Sequence, residues 1–545
     1  MEGIRLKAGD KNKKFAWLLI VLMVLVLMTA CSGQSGDDGK SNEAAGTGSA
    51  GSQETTAAEG AGGAGDSSEP VELTLFINHP WYPIKEWTGP IADKITEKTG
   101  VKLKVTVAAD DKQLPTMIAS GELPDLIFTD NTGNNIDRLS DPNISYPLNE
   151  LIQKYAPDFK IDPIRITVNT ADDGNFYTIR DAFSTKEEWD ANKYALGNDG
   201  NPGIAIREDL VQEMGNPPLK TLDDLVNLLG MVKEKYPDMV PLVMDKNWIE
   251  PYFMTQFGVE GGLGSWYETD GKVHYGLNNP KLLDYFKFMN NLYRKGYILA
   301  ENFAFANDQI DDEYTVGGKA FMHSHTVSVG DRNNIAAEQK GLPYKFKMIP
   351  EVLSKDAKVV STGIGWSGTF ITKNNKNPEK SIKFLQYLAS PEGLKLTMFG
   401  IEGEHWTWNE EGYPNLKYRP ADSDFVNKNG IKWWGLLYTD AVTEGLWNYV
   451  PGTQTTQALV EIKNITEFKP TIGLIQLKAD SKEQIMKTKI DEMVKNQKVK
   501  IYLAKSDAEL MKAYEDMINT AKKIGMDKVD EYANQVYAQK KSLLQ

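Results

Sequence analysis

Val101, Leu103, Val105 and Val107 alternate with Lys102, Lys104 and Thr106, the period-two pattern of a strand with one buried face. Beyond it the period changes. Leu114 to Ser120 carries helical spacing and ends at Gly121, a residue suited to a helix C-terminal cap. Leu126, Ile127 and Phe128 then form a short apolar run bounded by Pro124 and Thr129–Asp130, which reads as a strand buried within a parallel sheet. Gly100 to Asp130 therefore predicts a strand, a helix and a strand. Ligands of open α/β sheets bind beyond the carboxyl ends of the strands, which puts Thr129, Asp130 and Asn131 where a ligand would be met.

The same patterns extend along the chain. Val71 to Ile77 alternates as a first strand and runs into Asn78-His79-Pro80-Trp81-Tyr82-Pro83. Trp81 there either packs on its own lobe or forms a ligand wall. Trp87 to Lys98, Leu148 to Tyr155, Glu208 to Met214, Pro280 to Lys295 and Asn377 to Ser390 read as helices, and Thr221 as the cap of another. Strands are expected at Ile204 to Arg207, at Leu242 to Met244 ahead of Asp245-Lys246-Asn247-Trp248, at Gly318 to His325, at Tyr344 to Ile349 and near Gly363 to Ile371. Trp266 and Tyr275 flank a hairpin turn at Asp270-Gly271, and Ser481 to Gln545 reads as helical.

The amino terminus changes the picture. Arg5, Lys7, Lys11, Lys13 and Lys14 precede an apolar run from Phe15 to Met28, too short for a permanent span, and Thr29-Ala30-Cys31-Ser32-Gly33 follows. Gln34 to Pro70 holds Gly, Ala, Ser, Thr and acidic residues with almost nothing large and apolar, as in a flexible tether. The order resembles a bacterial lipoprotein signal, with Met28 where leucine is commonest. That resemblance implies cleavage before Cys31, acylation of its thiol, and a folded body facing the extracellular side of the cell membrane.

Several folded segments carry a second resemblance. Ala119-Ser120-Gly121 with Pro124-Asp125, the Gly318-Lys319-Ala320-Phe321-Met322 strand, and the helix from Asn377 to Ser390 are similar to signatures of the extracellular solute-binding proteins of ABC importers, the sugar-binding group called family 1. Phe399 to Trp406 resembles the subgroup that handles acidic or plant-derived oligosaccharides. The resemblance implies an α/β, two-lobed periplasmic-binding-protein-like (type II) fold with a hinge and an interlobe cleft. On this basis 1–30 is the signal peptide and 31–70 the tether. Lobe one is expected at 71–185 plus 342–389, and lobe two at 186–341 plus 390–545, with about three crossings.

Composition decides among chemistries. A length of 545 residues calls for more than one core, and a net charge of −14 offers no basic face for nucleic acid. Cys31 is the only cysteine, which excludes an intramolecular disulfide and any cysteine-rich zinc site. The 12 Trp and 23 Tyr suggest aromatic planes beneath sugar rings, whose apolar C–H faces stack on indoles while amides and carboxylates take the hydroxyls. The expected planes are Trp81, Trp248, Trp266, Trp366, Trp406, Trp434 and Trp447, and the expected rims Asp130, Asn131, Asn247, His325 and Glu404. His323 and His325 share one strand face, but no third ligand is evident, so neither a metal nor another cofactor is expected. Asp172-Asp173-Gly174-Asn175 reads as a turn, with too few alternating oxygens for a calcium loop.

The chief alternative is a secreted glycosidase, which also needs aromatic walls and a carboxylate pair. With 75 Asp and Glu a pair is always available, so acidity does not discriminate. Gly365-Trp366-Ser367-Gly368 departs from the G-x-S-x-G spacing of a nucleophile elbow. No catalytic residue is assigned. A peptide or metal-chelate binding protein of the same fold and location is the other alternative. The expected partners are an oligosaccharide, permease subunits and the bilayer through acylated Cys31, for a monomeric protein.

Overall fold

The computed structural model describes residues 69–198, 200–305 and 309–542. The expected signal peptide, Cys31 and the tether to residue 68 lie outside them. Eight strands build two four-stranded sheets: β1 Val71–Ile77, β2 Val101–Val107, β3 Leu126–Asp130, β4 Pro202–Arg207, β5 Val240–Met244, β6 Ala320–Thr326, β7 Phe346–Met348 and β8 Ser367–Ile371. The first runs β8-β3-β1-β2, with β2 and β3 parallel to β1 and β8 antiparallel to β3. The second runs β5-β6-β4-β7, with β5 parallel to β6 and β4 antiparallel to both its neighbours. With helices packed on each sheet, the fold is mixed α/β in two lobes.

Register fixes what gathers at the ligand-facing edge of the first sheet. Ile77 lies opposite Val107 and Phe128, and Ser367 opposite Asp130. The carboxyl ends of β1, β2 and β3 and the amino end of β8 therefore share one edge. The predicted unit is present: helix Gln113–Ser120 joins β2 to β3 and stops at Gly121, whose φ of 72° is open to glycine at little cost. The following Pro124-Asp125 is a fastening. Asp125 Oδ2 accepts from the Thr74 backbone N–H at 2.8 Å and its hydroxyl at 2.7 Å, while Asp125 N–H donates to Thr74 Oγ1 at 2.8 Å. One carboxylate thus locks the entry of β3 onto β1.

Two large hydrophobic clusters form the cores. The first joins Leu73, Leu75, Ile77 and Phe128 to helix Pro378–Leu388 and to Met398, Trp406, Trp434 and Trp447. The second joins Ile204, Leu242 and Met322 to Phe286, to the hairpin residues Trp266 and Tyr275, and to Ile490, Met517 and Val529 of three carboxyl-terminal helices.

This division corrects two expectations. The strand expected within lobe one at 342–389 is β7, and it pairs with β4 in the second sheet. Asn334 secures it there, donating to Phe346 O and accepting from Phe346 N–H, both at 2.8 Å. Residues 398–447, expected in lobe two, pack in the core of the first sheet. Alternation shows that a strand has a buried face without saying which sheet buries it.

The chain passes between the sheets after β3, again between β7 and β8, and again between Trp447 and Ile472. Two of these passages lie side by side, Val359–Ser361 pairing in parallel with Thr466–Phe468. Phe183, on the remaining passage, bridges to both Ile364 and Asp440.

Candidate functional site

At the shared edge of the first sheet the chain leaves β1 as Asn78-His79-Pro80-Trp81-Tyr82 and enters β8 through Gly365-Trp366. The result is an aromatic patch. Trp81 is 45% exposed, with ring centroids 4.9 Å from His79, 6.1 Å from Trp366 and 6.3 Å from Trp433. Beneath it Tyr82 is buried and donates its hydroxyl to Trp433 O at 2.5 Å, tying the loop after β1 to the segment after Ile431. His79 is also buried, its ring 5.2 Å from Phe128 and Nε2 3.2 Å from Ser367 Oγ. Burial lowers its imidazole pKa, opposed in part by the Asp130 and Asp111 carboxylates.

Polar groups line the same edge. Asn78 Nδ2 donates to Thr129 Oγ1 at 3.1 Å, and Asn78 Oδ1 and Asn131 Oδ1 are buried with no hydrogen-bond partner among the described residues. Amide oxygens left in that state are poised for a donor such as a ligand hydroxyl. Asp130 has local work: its carboxylate accepts from Thr132 N–H and hydroxyl, both at 2.9 Å.

The carboxyl ends of β5 and β6 carry the second group. Trp248 stacks on His325 with centroids 6.4 Å apart and planes inclined by 24°, and its carbonyl accepts from the Ser324 hydroxyl at 3.1 Å. Arg332 lies beside the His325 ring, Nη1 being 3.3 Å from His325 Nε2, while Nη2 donates to Asp312 Oδ1 at 2.8 Å. Burial and the Arg332 charge hold the His325 pKa well below its usual value, so the ring is neutral at neutral pH.

The structure sorts the expected site residues by environment. Trp81, Trp366, Asp130 and Asn131 come together on the first sheet, and Trp248, Asn247 and His325 on the second. Trp406, Trp434, Trp447 and Trp266 do not join them, being 1%, 0%, 3% and 5% exposed within the two cores. Trp406 Nε1 donates to Gly400 O at 2.8 Å, and Trp266 packs edge-on to Tyr275. An indole enclosed on all sides has no face for a ligand, so these four are corrected to core residues. Glu404 is exposed in a turn beside His405 and meets neither group. His79, Asn78, Tyr82, Trp433 and Arg332 were not among the expected residues. For the first three the signal was available, since they follow directly on β1.

The profile described as "bacterial extracellular solute-binding protein" matches residues 90–402, more than half of the chain. The chain belongs to that family. A carbohydrate ABC transporter substrate-binding protein of Streptococcus pneumoniae is 26% identical over 365 residues, covering 64% of this chain and 69% of that one. The fructooligosaccharide-binding FusA of the same organism is 25% identical over 365 residues, and the match spans 61% of this solute-binding protein and 64% of FusA. The polygalacturonan/rhamnogalacturonan-binding protein YtcQ of Bacillus subtilis is 23% identical over 352 residues, covering 61% and 67% of the two chains.

Solved structures agree on the fold of this solute-binding protein. Alginate-binding protein AlgQ2 without calcium ion superposes with a TM-score of 0.65 at 20% identity, over 87% of this chain and 99% of that one. FusA of S. pneumoniae in complex with kestose gives 0.62 at 18% identity, over 87% and 100%. The two lobes thus have the type II periplasmic-binding-protein architecture, and the family is one of solute-binding proteins.

Proposed function

We propose that this protein is the membrane-anchored, extracellular substrate-binding component of an ABC importer, and that it captures an oligosaccharide between its lobes. The observation that carries this reading is the exposed Trp81 indole set among Trp366, Trp433 and His79 at the ligand-facing edge of the first sheet. An exposed indole keeps its apolar plane in water at a cost that a stacked sugar ring removes. The relatives named for fructooligosaccharide and polygalacturonan support the same ligand class.

In this reading Trp81 and Trp366 form one wall and Trp248 the other, with Asn78, Asn131, Asp130 and His325 taking hydroxyls. With its Nδ1 accepting from Thr326 N–H at 2.6 Å, neutral His325 has its Nε2–H to donate to a hydroxyl. Acylated Cys31 anchors the protein, each buried methylene of its lipid contributing about 0.8 kcal/mol. A permease receives the loaded form.

Thermal unfolding against a panel of fructo-, galacturono- and algino-oligosaccharides tests the proposal, because a ligand bound only by the folded state raises its stability by RT ln(1 + [L]/Kd). A saturable shift with one glycan class, and no cleavage products by chromatography, is expected. Turnover would instead identify a glycosidase. Shifts with peptides alone would identify a peptide carrier.

A further inference from the structure

The segment beside β8 brings a cation to the ligand-facing edge of the first sheet. Arg180 bridges to Gly368 of β8, Gly368 lies opposite Thr129 of β3, and Asn78 follows Ile77, which pairs with Phe128. Arg180, Gly368, Thr129 and Asn78 therefore make one row across the sheet, and residues of such a row share a face. The next residues of the chain beyond Thr129 are the rims Asp130 and Asn131. A β-carbon on Gly365 would come within 2.7 Å of Arg180 Cβ, which sets the arginine beside the turn that carries Trp366 into the aromatic patch.

The polar groups of this row are only half used. Thr129 gives its hydroxyl hydrogen to Asp130 O at 3.2 Å, so its Oγ1 accepts from Asn78 Nδ2 at 3.1 Å and from Asn135 Nδ2 at 3.5 Å. Both amides thus turn their oxygens away from Thr129. Asn78 Oδ1, Asn135 Oδ1 and the neighbouring Asn131 Oδ1 are buried with no hydrogen-bond partner among the described residues. They are acceptors waiting for donors.

Arg180 is the complementary case, a donor without an acceptor. It is 5% exposed, its Nε is buried and unpaired, and its guanidinium makes no hydrogen bond or ion pair among the described residues. Burial lowers its pKa only to about 10, so it stays charged at neutral pH. The nearby carboxyl groups do not balance that charge. Asp130 is engaged by Thr132 N–H and hydroxyl, both at 2.9 Å. Asp181 accepts from Ser367 N–H at 2.9 Å, and burial pushes its pKa up to about 8, which leaves it mostly protonated at neutral pH. A buried guanidinium without a counter-ion is destabilising until an anion reaches it.

We propose that Arg180 is the anion-recognising residue of the ligand site, and that the oligosaccharide carried is acidic, a uronate whose carboxylate pairs with the Arg180 guanidinium while its hydroxyls donate to the amide oxygens of Asn78 and Asn131. The inference rests on the oligosaccharide reading and narrows it to one class. A guanidinium presents parallel N–H groups that match the two oxygens of a planar carboxylate. Amide oxygens only accept, so they call for hydroxyl donors. A uronate ring carries both kinds of group. A neutral ring satisfies the amides and leaves the buried charge uncompensated.

Calorimetry on the full chain compares galacturono-, mannurono- and glucurono-oligosaccharides with the same chains after reduction of their carboxyls to alcohols, with fructo-oligosaccharides and with a sulfated oligosaccharide. One uronate should bind at least about tenfold more tightly than its reduced form, since a hydrogen bond to a charged group outweighs one to a neutral group by that much. Its affinity should fall as salt rises. Arg180→Met should weaken that uronate by about 100-fold and leave the reduced and fructose chains within about threefold. The unfolding temperature of the ligand-free variant should hold or rise, because an unpaired buried charge is gone, whereas a structural arginine would lower it and weaken every glycan alike. The salt and carboxyl-reduction arms use the wild-type chain, so they decide the matter if Arg180→Met does not fold. Glycan binding with no preference for any uronate over its reduced form overturns the inference and leaves the oligosaccharide reading standing. Preference for the sulfated chain overturns the carboxylate assignment, and binding of peptides alone overturns both readings.

Discussion

Trp81 leaves 45% of its surface to solvent and Trp406 only 1%, so the two indoles answer differently to truncation. Trp81→Ala removes a plane from the proposed binding wall without opening a core. It should weaken oligosaccharide binding by about tenfold or more, measured by calorimetry, while its stability stays within about 0.5 kcal/mol of the parent. Trp406→Ala, by contrast, leaves a cavity and an unpaired Gly400 carbonyl, and should cost about 3–5 kcal/mol in urea unfolding. Asp181 makes a third case. Enclosed beside Arg180 and Arg165, it accepts from Ser367 N–H at 2.9 Å, and burial pushes its pKa up to about 8. The unfolded carboxyl ionises near the usual value of about 4, so between that pH and about 8 the folded state binds the extra proton. The stability it contributes is complete below the unfolded pKa and is lost as pH rises through the folded one. Asp181→Asn keeps the acceptor for Ser367 and removes the ionisation, so the variant should gain on wild type in unfolding temperature from about pH 5 to about pH 8. Parallel curves would show that the native carboxyl is already ionised at the lower pH.

Among the elements, those set by neighbouring residues are the ones most legible in sequence. Helix Gln113–Ser120 ends at Gly121 as its spacing predicts, and Thr221 caps Leu222–Lys235 through a reciprocal box with Asp224. The hairpin at Asp270-Gly271 likewise follows from its turn. Strands were found too, but not their partners: Phe346–Met348 alternates identically whichever sheet it joins, and the Asn334 bonds that place it arise from a helix closed earlier in the chain. The passages between sheets depend on close approach. Gly365 has a φ of 82°, and a β-carbon there would collide with the Asp181 carbonyl oxygen. Gly365→Ala should therefore cost about 2 kcal/mol or more, seen as a lowered urea midpoint, and should disturb the neighbouring Trp366 indole in near-ultraviolet circular dichroism. An unchanged midpoint would mean that the passage yields without strain.

For the whole molecule the consequence of two lobes joined by three passages is a hinge, and the candidate residues are divided between the lobes. A ligand touching Trp81 and Trp248 together would favour the closed arrangement by its differential affinity and no more. Small-angle scattering should show a smaller radius of gyration at saturating oligosaccharide, with Trp248→Ala weakening both affinity and compaction. An unchanged radius would rule out closure while leaving glycan binding intact.

What sequence alone determined was local or carried by contiguous motifs: the α/β alternation, the edge of the first sheet where Thr129 to Asn131 emerge, and the solute-binding family. Burial was decided elsewhere. Trp81 and Trp406 are the same residue type in similarly aromatic stretches, and only packing makes one a surface plane and the other a core filler. The assignment of 398–447 to the first core has the same cause, since an amphipathic segment states that it must bury a face and leaves the surface that covers it to be chosen by long-range contacts. Trp248 and His325 stand 77 residues apart along the chain, and no spacing rule joins them; the parallel pairing of β5 with β6, which brings their carboxyl ends side by side, does.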